Sequence, residues 1–247
     1  MKIWIAIVLA ALIVSSASAQ TTVLYNPSLG TTPTAQGWIA FAAPLGGTST
    51  TNTTETTLDT TSAVTDEAGY SNYTASLTPS LINSNFPVLN PAIGFTLNFN
   101  VQIDTANDPD TTRAGFAVIL LGSDSKGVEL GFWSNQIWAQ NVGFATHSTP
   151  ANFTTTGAFN QYALTILNGN YSLTANGTQI LSGSTVNYVT PAPPYTLANY
   201  VFLGDDDMTD SGAEEIKTVS ISVPEPTSGI LGLGLAAAAL VKRNKRR

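Results

Sequence analysis

Four carboxylates stand close together in the segment "LGDDDMTDSGAEE", at Asp205, Asp206, Asp207 and Asp210. Neighbouring carboxylates repel one another unless a cation or strong hydrogen-bond donors lie among them. Calcium takes about six to eight oxygen ligands, so this segment is a candidate calcium site. The spacing differs from that of an EF-hand loop, in which the ligands alternate around a glycine. The alternative is a solvated turn in which the aspartates bind backbone N–H groups.

A second candidate site combines aromatic and amide side chains. The segment "GFWSNQIWAQN" places Trp133 and Trp138 on either side of Asn135 and Gln136. Aromatic faces stack on the apolar side of sugar rings and amides bind the hydroxyls, so these four residues form a candidate sugar platform. In a regular strand Phe132 and Trp133 point to opposite faces, so at least one ring here faces away from the core. The alternative is that both tryptophans fill the core.

Arg113 is the single arginine of residues 20–223. Its guanidinium could hold a carboxylate or two sugar hydroxyls through parallel donors, and the alternative is a structural ion pair with an acid such as Glu129. Catalysis has less support. Sandwich glycosidases use two acids on one strand face, whereas Gly131 and Trp133 stand where partners of Glu129 are needed. His147 is the single histidine, so no catalytic residue is predicted.

Short strands must position these residues. From Phe95 to Ile103 apolar residues alternate strictly with Thr, Asn and Gln, which predicts a half-buried antiparallel strand. The dipeptides Asn168-Gly169 and Asn176-Gly177 suit tight turns between later strands. Further strands are predicted at 114–121, 128–133, 137–141, 162–167, 171–175, 178–181, 200–203 and 217–223. Because no amphipathic helix interrupts them, they predict an all-β fold, a single antiparallel two-sheet sandwich or a barrel.

The N-terminal segment is typical of a secretory signal peptide over residues 1–19. Lys2 precedes the apolar run Ile3–Val14, and small residues at Ala17 and Ala19 suit cleavage by signal peptidase. An uncleaved anchor is the alternative, but this run is shorter than the roughly twenty residues that a membrane span needs.

The C-terminal segment "ISVPEPTSGILGLGLAAAALVKRNKRR" has three parts in a fixed order. Val223, Pro224, Glu225 and Pro226 come first, an apolar stretch over about 228–241 follows, and a basic end closes the chain. The prolines stop regular structure, the apolar stretch can enter a bilayer, and the bases favour the cytoplasmic face. A terminal helix packed on the domain is the alternative, but the apolar stretch lacks the polar face that such a helix needs.

This order resembles the PEP-CTERM sorting signal of Gram-negative bacteria that make exopolysaccharide. The resemblance covers residues 223–247. It implies recognition by a membrane-embedded exosortase, an inner-membrane-anchored precursor, and delivery to the outer surface or the extracellular matrix.

The remaining body is acidic. Residues 20–223 contain three bases and fifteen acids, a formal net charge of −12, and the chain has no cysteine. This charge repels phosphate backbones, so nucleic acid is not an expected partner. Without disulfides the body depends on burial for its stability. The Thr-rich stretch Thr48–Thr61 offers little to bury and is predicted to be an exposed loop.

The body itself resembles known extracellular domains. "FNQYALTILNGNYSLTANGTQIL" is similar to the meander of laminin-G and concanavalin-A-like sandwiches. "RAGFAVILLGSDSKGVELGFWSNQIWAQN", "YVFLGDDDMTDSGAE" and the opening "YNPSLGTTPTAQGW" resemble the choice-of-anchor Y domains of PEP-CTERM proteins. This resemblance implies a jelly-roll sandwich over residues 20–222 and no known activity.

The sequence therefore predicts an exported, non-catalytic protein that binds or structures exopolysaccharide, with calcium as a possible cofactor. Two alternatives stay open at this point. One is a hydrolase or lyase that acts on matrix glycan, and the other is a purely structural surface protein.

Overall fold

A computed structural model defines residues 19–42, 46–74, 81–188 and 193–224 of the chain. These residues form seventeen β-strands and two short 3-10 turns and include no α-helix, so the predicted all-β class is confirmed. Ala17, Glu225, Pro226 and the apolar stretch 228–241 lie outside the described residues. No helix within those ranges is long and apolar enough to cross a membrane.

The strands are short, apart from two long ones that lie side by side. In chain order they are β1 (Ala19–Tyr25), β2 (Ile39–Ala42), β3 (Thr48–Thr51), β4 (Thr56–Asp59), β5 (Ala68–Ser71), β6 (Tyr73–Thr74), β7 (Leu81–Ile82), β8 (Phe95–Asn107), β9 (Ala117–Leu121), β10 (Gly127–Phe132), β11 (Gln136–Ala139), β12 (Ala151–Asn152), β13 (Asn160–Leu167), β14 (Asn170–Ala175), β15 (Thr178–Ser184), β16 (Val201–Asp205) and β17 (Ser211–Pro224). The 3-10 turns are Pro27–Leu29 and Thr34–Gln36.

The strands build two large antiparallel sheets. The eight-stranded sheet has the order β15-β14-β13-β8-β17-β4-β3, and β1 also pairs with β17. The seven-stranded sheet has the order β12-β11-β10-β9-β16-β5-β2, and a separate pair joins β6 to β7. Apart from the first two residues of β1 and the last residue of β17, the strands lie in one compact unit, Thr21–Val223.

The main core lies between the two sheets, as alternation in the sequence requires. Every second residue of β8 from Phe95 to Ile103 is buried, and the residues between them are half-buried. Phe99 stands opposite Tyr162 on β13, and their rings stack at 5.1 Å. The opposite sheet contributes Leu120 and Leu130, which are fully buried. The predicted sandwich is confirmed by this packing of two sheets.

The hairpins that follow β13 form as the Asn-Gly dipeptides predict. Asn168 and Gly169 have φ of 49° and 75°, and Asn176 and Gly177 have φ of 50° and 80°. Positive φ at both central residues matches the right-handed twist of the flanking strands. The register of β14 on β13 therefore places its apolar residues on the core face.

The prediction of an exposed loop at Thr48–Thr61 is wrong. This stretch forms the hairpin β3–β4, and Leu58 on β4 is 0% exposed. The side-chain oxygen of Asn52 accepts hydrogen bonds from the backbone N–H groups of Thr54 (2.6 Å) and Glu55 (3.0 Å), which fixes the turn. Threonine favours extended backbone. The buried Leu58 and the buried Thr56, whose hydroxyl meets that of Tyr25 at 2.6 Å, dock the hairpin on the core.

The seven-stranded sheet is covered on both faces. Its outer face carries a second apolar cluster that includes Ile119, Leu121, Tyr200 and Phe202. For this reason all five residues of β9 are buried, as in a strand that has no solvent face. The candidate functional site lies in this outer layer.

Candidate functional site

A cleft of about 410 Å³ opens on the outer face of the seven-stranded sheet. Six aromatic residues, three other apolar residues and two charged residues line it. They are Phe41, Tyr73, Phe144, Tyr195, Tyr200, Phe202, Ile119, Pro193, Pro194, Arg113 and Asp206. An apolar, concave surface with few charged groups is the usual character of a small-ligand site.

Small residues allow the aromatic walls to lie against the sheet. Gly69 on β5 stands opposite both Phe41 on β2 and Gly204 on β16. A Cβ atom at Gly69 would lie 2.5 Å from the ring of Phe202, so the ring occupies the space of the missing side chain. Gly204 in turn stands opposite Ala117 on β9. The glycines therefore shape this side of the cleft.

Arg113 is the charged centre of the site. Its Nη1 lies 3.1 Å from Glu129 Oε1, its Nη2 lies 3.5 Å from Asp206 Oδ1, and its Nε lies 3.6 Å from Asp207 Oδ2. Its side chain is 15% exposed, so these contacts are largely shielded from water. One cation is thus surrounded by three carboxylates, and the pairing with Glu129 is the one that the sequence offered as an alternative.

The paired groups come from three consecutive strands of the seven-stranded sheet and the segments next to them. Glu129 lies on β10, Asp206 follows β16, and β9 runs between these two strands. Arg113 enters just before β9, and its guanidinium also lies 5.6 Å from the centre of the Phe144 ring. The topology therefore brings together groups that are far apart in sequence.

Tyr195 connects the cleft wall to the buried Glu129. Its hydroxyl donates a short hydrogen bond to Glu129 Oε2, and its ring centre lies 5.0 Å from that of Phe144. The backbone N–H of Glu129 donates to the hydroxyl of Tyr188 at 2.7 Å. Glu129 is not part of the cleft lining, and its side chain is 3% exposed. It therefore lies behind Tyr195, held on several sides.

Burial and the ion pairs with Arg113 shift the pKa values of these groups in opposite directions. Burial raises the pKa of the Glu129 carboxyl most, the negative charge of Asp206 raises it further, and the positive charge of Arg113 lowers it. Burial likewise raises the pKa of Asp206, and Arg113 again lowers it. Burial would lower the pKa of Arg113, but Asp206 and Glu129 hold it above the ordinary arginine value. Arg113 thus keeps its charge and favours ionised neighbours.

The acidic segment of the sequence is a folded turn and not a cluster of free ligands. Asp205 Oδ2 accepts a hydrogen bond from the Thr60 hydroxyl at 2.6 Å. Asp207 Oδ1 accepts from the backbone N–H groups of Thr209 (2.7 Å) and Asp210 (2.9 Å). These contacts match the predicted alternative of a capped turn, although Asp205, Asp207 and Asp210 are buried and not solvated.

The structure offers no geometry that matches the predicted calcium site. Within the described ranges, no group of three or more histidine, cysteine or acidic side chains is arranged to hold a metal ion. Asp206 faces Arg113, whereas Asp210 Oδ1 accepts from the backbone N–H of Asp110 at 2.8 Å. The four aspartates are therefore divided among separate contacts, and calcium binding stays a prediction.

Several carboxyls of this region have a raised pKa. Burial raises the pKa of Asp205 to about 9, against the hydrogen bond from Thr60. Burial and the charge of Asp210 raise the pKa of Asp108 to about 7. Glu214 is fully buried, neither of its oxygens has a hydrogen-bond partner among the described residues, and burial raises its pKa well above the usual value. These groups favour the protonated form in the folded state.

The predicted sugar platform does not form a single surface. Trp138 is 1% exposed and lies under His147, with ring centres 4.7 Å apart, so its face cannot stack on a sugar. Gly131 opposite Trp138 explains this, since the ring fills the space above the glycine. Asn135 is exposed and Gln136 donates to Asn152, and neither lines the cleft.

Trp133 has a supporting position next to the site. Its ring lies on the outer side of the sheet while Phe132 is buried in the core, as strand alternation predicts. Its Nε1 donates a 2.7 Å hydrogen bond to the backbone carbonyl of Arg113. Neither tryptophan therefore fills the main core, and Trp133 positions the arginine.

The sequence patterns did not predict the aromatic residues that lie in loops and line the cleft. Phe144 has a φ of 61°, and Tyr195 lies in a turn after Pro193 and Pro194. Neither position shows the periodicity of a strand. Large aromatic residues in loops beside prolines could have indicated a binding site, because loops held by a rigid scaffold often carry binding groups.

Comparison with known proteins identifies the C-terminal segment and the fold. Residues 222–247 match the family model described as the PEP-CTERM protein-sorting motif. The matched segment begins within β17, at Ser222. The chain therefore carries this sorting motif. A search of curated proteins found no match.

Several solved structures are similar to this chain at low sequence identity. A carbohydrate esterase from the Shiga toxin-encoding bacteriophage phi24B has a TM-score of 0.53 and 11% identity, over 83% of this chain and 100% of the esterase. An alginate lyase of polysaccharide lyase family 7 has a TM-score of 0.47 and 10% identity, over 74% and 84%. A sialidase from Trypanosoma rangeli has a TM-score of 0.43 and 18% identity, over 77% and 28%. The esterase supports the sandwich fold, and at these identities none of the three indicates an activity.

Proposed function

We propose that this protein is an exported surface or matrix component whose sandwich binds a saccharide in the aromatic cleft without catalysis. The sorting motif at residues 222–247 implies export, a membrane-anchored precursor in a Gram-negative-type bacterium, and processing by exosortase. Delivery to the outer surface or to the exopolysaccharide matrix is the further step of the proposal. The choice-of-anchor Y resemblance of the body is consistent with such a location.

The composition of the cleft is the observation that carries the proposal. Tyr73 and Tyr200 form one aromatic pair, with ring centres 5.9 Å apart, and Phe144 and Tyr195 form another at 5.0 Å. Aromatic rings stack on sugars, while the carboxylate of Asp206 accepts hydrogen bonds from hydroxyls. A cleft of about 410 Å³ has room for one or two sugar units.

The surroundings of Glu129 favour binding over catalysis. A general acid must reach the atom that it protonates, within hydrogen-bond distance or through one water. Glu129 lies behind Tyr195 and is held by Tyr195 and Arg113, so its carboxyl is not presented to the cleft. Its raised pKa follows from burial and serves no evident proton transfer.

A glycan array with the full chain, purified in detergent, tests the proposal. The strongest saccharide is then titrated by calorimetry against the wild type and the Tyr73→Ala variant. We expect affinity to fall about tenfold, or about 1.4 kcal/mol, because one stacking ring is lost. Phe159→Ala is the matched control, since that ring packs against Lys217 at 3.5 Å and does not line the cleft.

Two other outcomes distinguish the rival functions. A purely structural surface protein binds no saccharide on the array. A hydrolase or lyase releases new chain ends from the bound glycan over time, and the Glu129→Gln variant abolishes that release. Either result contradicts non-catalytic binding.

A further inference from the structure

The charge of the cleft restricts the ligands that it can hold. Arg113 is the one basic residue in the cleft lining. The other two basic residues of the described ranges lie elsewhere, Lys126 in the turn between β9 and β10 and Lys217 on β17. Any anionic group in the cleft would therefore depend on Arg113 for a cationic partner.

Arg113 is already balanced by the protein itself. Each of its three guanidinium nitrogens faces a different carboxylate within 3.6 Å, those of Glu129, Asp206 and Asp207. With all four groups ionised, the cluster has a formal charge of −2. A ligand carboxylate would have to displace one of these partners and would leave that partner buried without its cation, which is costly.

Asp206 is the carboxylate that an incoming ligand meets. It lines the cleft, its side chain is 13% exposed, and its Oδ1 lies 3.5 Å from Arg113 Nη2, a longer contact than that of Glu129. Its charge repels carboxylate or sulfate groups, and its oxygens accept hydrogen bonds from hydroxyls. Glu129 and Asp207 do not line the cleft.

From this arrangement we infer that the cleft selects uncharged saccharides over uronate, sulfated or sialylated ones, and that Asp206 is the residue that sets this selectivity. The inference rests on the proposed function, because it concerns the ligand class of the same cleft. The aromatic walls supply stacking for any sugar, so they do not discriminate by charge. Discrimination by charge comes from Arg113, which is already paired with three carboxylates, and from Asp206, whose carboxylate faces the ligand.

Alginate oligosaccharides and the same oligosaccharides after chemical reduction of their carboxyls to alcohols are the probes. The two differ in charge but share backbone and linkage. They are titrated into the full chain beside neutral oligosaccharides of glucose, mannose and galactose. We expect native alginate to bind at least about tenfold more weakly than its reduced form, a difference of about 1.4 kcal/mol.

The variant Asp206→Asn tests the residue. It removes the charge that faces the ligand while it keeps one amide oxygen as an acceptor, so the ratio of the affinities for native and reduced alginate should rise about tenfold. Asp124→Asn is the matched control, because it removes the same charge from an exposed turn outside the cleft. If Asp206→Asn does not fold, the comparison of native and reduced alginate on the wild type still decides the selectivity.

The outcomes separate this inference from the proposed function. Equal or tighter binding of native alginate by the wild type overturns the selectivity and leaves saccharide binding in place. An unchanged ratio of the affinities for native and reduced alginate in Asp206→Asn overturns the role of Asp206. Binding of none of the saccharides refutes the proposed function, and the inference falls with it.

Discussion

Replacement of Arg113 by methionine removes the only cation among the described residues that faces Glu129, Asp206 and Asp207, while it keeps an unbranched side chain of similar length. The three contacts lie between 3.1 and 3.6 Å, and the arginine side chain is 15% exposed. Removal of one partner from a buried ion pair costs about 3–5 kcal/mol, because the remaining charge is left uncompensated. We expect a loss of that size in the free energy of unfolding at pH 8.

The loss should shrink towards pH 5. An acid whose pKa is higher in the folded state than in the unfolded state contributes stability that falls as pH rises between the two values, with a slope of about 1.4 kcal/mol per pH unit. Arg113 lowers the pKa of both Glu129 and Asp206, so without it both rise further. The decline of stability with pH therefore extends to more alkaline values in the variant than in the wild type.

Urea denaturation followed by tryptophan fluorescence measures both effects, at pH 5 and pH 8. Lys126→Met is the matched control, because it removes one positive charge from an exposed side chain and should change stability by less than about 0.5 kcal/mol. A deficit of Arg113→Met that is the same at both pH values would show that the arginine acts through packing, including its contact with Phe144. Parallel stability curves of the variant and the wild type would refute the electrostatic reasoning.

Two further outcomes test other parts of the structure. The buried carboxyl of Glu214 has a raised pKa and must ionise without a partner as the pH rises, which lowers stability. In Glu214→Gln the melting temperature should therefore fall less between pH 5 and pH 8, and at pH 8 it should be at least about 2 °C above that of the wild type. An unchanged dependence of the melting temperature on pH in scanning calorimetry contradicts this. Leu58→Ala should lower the free energy of unfolding by about 2–5 kcal/mol, since Leu58 is fully buried on β4. A loss below about 0.5 kcal/mol, which is typical of a surface position, would instead support the exposed loop that the sequence predicted.

The sequence was sufficient for the elements whose pattern is local. Strict alternation located β8, and the two Asn-Gly dipeptides located the turns of β13–β15, because side-chain period and backbone conformation are properties of a few adjacent residues. The hairpin at Thr48–Thr61 was not predicted because it depends on long-range contacts: β4 pairs with β17, and Leu58 is buried in the core. Thr56 and Thr60 are also buried and hydrogen-bond to Tyr25 and Asp205. Composition alone does not predict these long-range contacts.

The candidate site was predicted only in part for the same reason. The pairing of Arg113 with Glu129 was predictable, since Arg113 directly precedes the predicted strand 114–121 and Glu129 lies on the next predicted strand, 128–133. The further partners Asp206 and Asp207 depend on β16 lying next to β9, which no local pattern specifies. Trp138 looked available in the sequence but is buried over Gly131, a contact that depends on the register of β11 against β10. Tyr195 and Phe144 come from loops, where periodicity gives no guidance.

The place of β17 in the sheet bears on how the body withstands mechanical load. This strand lies between β8 and β4, its ladder with β8 runs from Ser211 to Ser222, and the Ser222 hydroxyl meets that of Thr21 at 2.9 Å. Tension applied at residue 223 acts along the strand, so the ladder hydrogen bonds share the force at once and do not open one after another. The strand that leads into the sorting motif is thus held in a shear geometry, in which a pull along its axis must break many ladder hydrogen bonds together.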